Sequence, residues 1–109
     1  MLYLISEKGQ RTVKVGYTSR PTGRQDDYAC HSTVTQFLDW REGTKKDEKA
    51  WHDYFEFVGF EKVFPEREKS EWYYLPSYIN KTKMMKADSA MDYILNEVDA
   101  YWKKRISEL

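Results

Sequence analysis

Residues Leu2–Tyr17, LYLISEKGQRTVKVGY, decide how the chain is read. Two apolar runs, Leu2 to Ile5 and Thr12 to Tyr17, flank the polar stretch SEKGQR, and their alternation is that of half-buried strands joined by a hairpin turn. With the tight turn at Lys8-Gly9, antiparallel pairing sets Ser6 opposite Arg11, Leu4 opposite Val13 and Tyr3 opposite Lys14. Opposed residues share a sheet face, so Tyr3 and Lys14 are expected to project together while Leu2, Leu4, Val13 and Val15 cover the other side. A slip of one residue would send every side chain to the wrong face.

Outward from the hairpin, "TSRPTGRQDDYACHS" turns at Pro21 and Gly23, and Thr22 with Gln25 forms a capping-box pattern that places Arg24 in the first turn of a short helix. A third strand follows in "VTQFLDW", through Val34, Thr35, Phe37, Leu38 and Trp40. In "TKKDEKAWHDYFEFVG", Thr44 with Asp47 is a helix start, Trp51, Tyr54, Phe55 and Val58 recur at helical spacing, and Gly59 is a stop. Glu48, His52 and Phe55 fall at i, i+4 and i+7, so a carboxylate and an imidazole share one side of that helix. "EWYYLP" reads as a short aromatic strand ended by Pro76, and Asp88 to Leu109 as an amphipathic helix with Met91, Ile94, Leu95, Val98, Trp102 and Ile106 on one face.

Bulk composition narrows the class. A length of 109 residues fits one domain, and 40% hydrophobic residues with 17% aromatics argue against disorder. The lone cysteine, Cys30, has no disulfide partner, and there is no Cys/His zinc pattern. Without a signal-peptide pattern or a long apolar run, the expectation is cytoplasmic residence with no membrane association. The formal net charge is +0, so any nucleic-acid footprint must be local. Candidates for such a patch are Lys14, Arg20 and Arg24, then Lys45, Lys46 and Lys49, then Lys81, Lys83 and Lys86.

The ordered set "LYLI", "VKVGYT", Arg24, "EKAWHDYF" and "EWYYL" resembles the GIY-YIG nuclease superfamily, most closely its small phage and bacterial branch with a KIG-like second motif. The likeness covers about the first three-quarters of the chain. It implies a small α/β (α+β) domain over residues 1–85, with a three-stranded, mainly antiparallel sheet flanked by helices, and a C-terminal helix over 86–109 packed on it. It also implies metal-dependent hydrolysis of DNA, or of RNA, in the cytoplasm of a bacterium or phage host. Tyr3 then stands at the tyrosine of the first motif, Lys14 at the head of the second, Arg24 at the helical arginine, Glu48 at the metal-binding glutamate and His52 at the branch histidine. Two positions depart from the pattern: the first motif reads "MLY", and no asparagine follows Glu48 at short distance, the asparagines being Asn80 and Asn96.

Those residue types suit the chemistry. Phosphodiester hydrolysis needs an activated water, neutralised phosphoryl oxygens and a stabilised leaving group. Glu48 would ligate Mg²⁺ or Mn²⁺, and Arg24 would grip the phosphate with its planar fork. Tyr3 would orient or deprotonate the water, Lys14 would lower the phenol pKa or touch phosphate, and His52 would carry a proton. Arg20, Lys45, Lys46 and Trp72 would contact nucleic acid, the tryptophan by stacking on a base, and the C-terminal helix offers a homodimer contact. The alternative is an inactive module of this fold that binds nucleic acid or a protein through the same surface. In a third reading the domain is only a structural interaction module, and each residue then has an ordinary part: Tyr3 packs, Lys14 guards a strand edge, and His52 and Glu48 pair along the helix.

Overall fold

In a computed structural model that describes residues 1–19, 35–67 and 71–109, β1 (Leu2–Glu7) and β2 (Thr12–Tyr17) form the hairpin. The turn lies where the sequence puts it. Gln10 N–H donates to the Glu7 carbonyl at 3.1 Å, and Gly9 takes the left-handed φ of 75° that such a turn requires. The register differs from expectation by two residues: Tyr3 pairs with Gly16, Leu4 with Val15, Ile5 with Lys14 and Ser6 with Val13. Gln10 and Arg11 cause the offset. They stay outside the β1 ladder, and the Arg11 carbonyl instead accepts from Leu75 N–H at 2.8 Å. Because the shift is even, side-chain faces are unchanged, and Tyr3 and Lys14 share a face as diagonal rather than direct neighbours.

β3 (Thr35–Arg41) pairs antiparallel with the other side of β1, and β4 (Trp72–Tyr74) pairs antiparallel with β2. Among the described residues the sheet therefore has four strands, in the order β3-β1-β2-β4, where three were expected. "EWYYL" supplies the fourth, its Trp72 opposite Lys14 and its Tyr73 opposite Val13. A bulge interrupts β3, since Leu4 pairs with Asp39 but Ile5 with Phe37. That extra residue brings Phe37 and Trp40 to the same face, where their rings stack at 5.1 Å and both lean on Tyr3. Regular alternation would have separated them.

The opposite face carries the core. Leu2, Leu4, Val13 and Val15 are buried against Phe55, Phe60, Tyr73, Ile79 and Met84, and against Met91, Ile94 and Val98. α1 (Lys45–Phe57) starts at Thr44 with the full capping box, Thr44 and Asp47 each bonding the other's backbone N–H. Its end is equally defined. Phe60 N–H reaches the Phe55 carbonyl at 2.8 Å, Gly59 adopts φ 89°, and the Phe60 ring stacks on Phe55 at 4.6 Å, the hydrophobic contact that accompanies this helix stop. Both ends being fixed, the turn of α1 that carries Glu48 and His52 is held in place.

Asn80 caps a short helix that the sequence pattern did not foretell, α2 (Lys81–Lys86), its side chain accepting from Lys83 N–H at 3.0 Å. α3 (Ala90–Ser107) is capped by Ser89. Asp39 of β3 fastens this cap, accepting from Ser89 Oγ at 2.8 Å and from Met91 N–H at 3.0 Å, and Arg41 pairs with Asp92 at 2.5 Å. The amphipathic face of α3 divides. Met91, Ile94 and Val98 are buried, whereas Trp102 and Ile106 are exposed. No helix among the described residues is long and apolar enough to cross a membrane.

Candidate functional site

β4 pairs with β2 as far as Lys14, so among the described residues no strand lies beside the outer edge of β2 from Val15 onward. α1 fills part of this gap. His52 donates from Nε2 to the Val15 carbonyl at 2.8 Å, and its ring lies 6.2 Å from that of Tyr73. A carbonyl oxygen only accepts, so Nε2 carries a hydrogen and Nδ1 is the ring nitrogen left for another partner. Glu48, one turn earlier, faces the same gap. Glu71, immediately before β4, comes in from the other side.

Ligand-capable atoms of Glu48, His52 and Glu71 all lie within 4.8 Å of one another, and all three residues are half-buried. Lys14 completes the group, its Nζ 3.4 Å from Glu71 Oε2. Burial, followed by the adjacent Glu71 carboxylate, pushes the Glu48 carboxyl above its ordinary range, while His52 and Lys14 pull it the other way. Two carboxylates this close need a proton or a cation between them. The arrangement is thus an electron-rich cluster in which one carboxylate has already recruited an ammonium group.

The other expected residues are placed as follows. Tyr3 is only 2% exposed, and its ring lies flat over Gly16. A methyl group at Gly16 would sit 2.3 Å from the tyrosine oxygen, so glycine at this position is what lets the ring cross the strand. Trp72 is half-buried, cross-strand from Lys14 and next to Glu71. Lys45 and Lys46 are exposed in the first turn of α1, just before Glu48. Arg20 and Arg24 lie outside the described residues. Asn80 is occupied as the cap of α2.

Glu71 is the residue that reading for site chemistry passed over. Its signal was available as the first letter of "EWYYL", but nothing local tells a strand-leading glutamate from a solvated one; only the pairing of β4 with β2 delivers it to Glu48. Comparison of the chain with family models, with curated proteins and with solved structures found no match.

Proposed function

We propose that the protein is a metal-dependent endonuclease that hydrolyses phosphodiester bonds of DNA in the cytoplasm. The observation that carries this reading is the convergence of Glu48, His52, Glu71 and Lys14 beside β2, from three parts of the chain separated in sequence. In the proposed site Glu48 holds Mg²⁺ or Mn²⁺, and the ion supplies Lewis acidity toward a phosphoryl oxygen. Lys14 sets a positive charge where a phosphate would lie. Trp72 offers a flat apolar surface beside it, and the exposed Lys45 and Lys46 add their charge to the positive end of the α1 dipole, in the turn before Glu48. The resemblance assigns the phosphate grip to Arg24. With its ring enclosed, Tyr3 is given a positioning part, supporting the strand that presents Lys14.

The test is cleavage of supercoiled and linear DNA by purified protein in Mg²⁺ or Mn²⁺, with Glu48→Ala as control. Cleavage by the native chain that disappears in the variant, with an unchanged circular-dichroism spectrum, supports the reading. Equal activity in both overturns it. DNA binding that survives EDTA and falls steeply with salt, without cleavage in either ion, would favour the inactive binding module.

A further inference from the structure

We propose that His52 and Glu71 are metal ligands together with Glu48, and that this mixed nitrogen and oxygen set selects a divalent transition ion of the Mn²⁺ or Zn²⁺ class over Mg²⁺. For its account of catalysis the inference rests on the nuclease reading; as a binding site it stands on geometry alone. Donors about 2.1 Å from one ion are at most about 4.2 Å apart. Three donors spread evenly around one ion at that distance are about 3.6 Å apart, and one ligand-capable atom from each of the three residues lies within 4.8 Å of the others, so side-chain rotations that bring them roughly an ångström closer would close the set on an ion.

Two observations outside the carboxylate pair point the same way. The first is the commitment of His52 Nε2–H to the Val15 carbonyl. A ligating imidazole characteristically donates its second ring nitrogen to a carbonyl or carboxylate, which fixes ring orientation and raises the basicity of the free nitrogen. Here that partner is main chain of a buried strand, the Val15 carbonyl, to which no other described residue is seen to donate, so turning the ring away would give up that bond. The second is Lys14, whose ammonium lies on Glu71 and half-buried beside the other donors. The site attracts positive charge, and an arriving ion would displace Lys14 from Glu71 and leave it free to meet a phosphate.

Donor chemistry then decides the ion. Mg²⁺ favours oxygen ligands and retains much of its water, whereas imidazole suits the transition series, in which affinity rises from Mn²⁺ toward Zn²⁺. His52 is accordingly a ligand through Nδ1 rather than a proton carrier. The residue chosen from sequence is the same, but its task differs.

Mn²⁺ bound to the full chain, followed by electron paramagnetic resonance with electron spin echo detection of directly bound nitrogen, tests the site without reference to catalysis. Native protein should bind Mn²⁺ at least about tenfold more tightly than Mg²⁺ and show imidazole nitrogen coupling. His52→Gln should remove the coupling and the preference, and Glu71→Gln should weaken Mn²⁺ about tenfold or more while retaining the coupling. Absence of nitrogen coupling in the native protein, equal affinity for the two ions, or native Mn²⁺ affinity in Glu71→Gln would overturn the assignment. DNA cleavage with the same preparations separates the two ideas. Nitrogen-coupled Mn²⁺ without cleavage overturns the nuclease and leaves the site, whereas Glu48-dependent cleavage with native metal binding in Glu71→Gln leaves the nuclease and overturns the three-ligand set.

Discussion

The two ends of β2 both carry cations, and they use them in opposite ways. At the Thr12 end, the Arg11 guanidinium donates to the carbonyls of Pro76 and Ile79 at 2.6 and 2.8 Å. The Lys81 ammonium donates beside it to the Glu7 carbonyl at 2.8 Å and to the Gln10 carbonyl. Every acceptor there is a neutral backbone oxygen, and the donors tie the hairpin turn to the segment between β4 and α2. At the Gly16 end, Lys14 faces carboxylates whose mutual repulsion only a cation or a proton relieves. The first end closes a loop; the second keeps a charge requirement open. Positive charge on a strand is thus uninformative about function until its acceptors are known.

The contrast can be broken at either end. The largest effect is expected for Glu48→Ala, which should lower metal-dependent DNA cleavage at least about a hundredfold, as loss of a metal ligand does, with little change in thermal unfolding; a nicking assay and a melt together measure this. Next is Gly16→Ala. Its new methyl would meet the Tyr3 ring at 2.3 Å, and that ring is packed against Phe37 and Trp40, so a loss of about 2 kcal/mol in urea unfolding is expected. Lys81→Met should cost about 1–2 kcal/mol by removing the donor to two carbonyls at the closed end, and should leave Mn²⁺ affinity unchanged. A Lys81 variant that altered Mn²⁺ binding would erase the distinction between the ends. Smallest is Thr12→Val. The buried Thr12 hydroxyl has no hydrogen-bond partner among the described residues, so an apolar replacement should be neutral or stabilising by under about 1 kcal/mol, read from the same urea curves.

How much of this was legible beforehand follows from the range of each interaction. The turn at Lys8-Gly9, the capping box at Thr44 and Asp47 and the stop at Gly59 were readable because each is closed by residues only a few positions apart. Glu48 and His52 were readable as a pair for the same reason, helical geometry alone placing them on one side of α1. The hairpin register was not, because Arg11 is drawn out of the ladder by carbonyls at Pro76 and Ile79, far along the chain. Nor was the bulge in β3, which depends on how Leu38 is accommodated beside β1 and which alone makes Phe37 and Trp40 neighbours of Tyr3.

What the sequence by itself determined about this protein is the inventory of local units: two strands with their faces assigned, a helix bounded at both ends, and a carboxylate and an imidazole one turn apart on it. Tertiary structure alone decided their company. Glu71 reaches Glu48 because β4 pairs with β2, and the pairing ends at Lys14, which leaves the Val15 carbonyl for His52. Helical and turn contacts are fixed by backbone geometry over a few residues, whereas strand partners are chosen by burial across the whole chain, and the site is assembled by the second kind of choice.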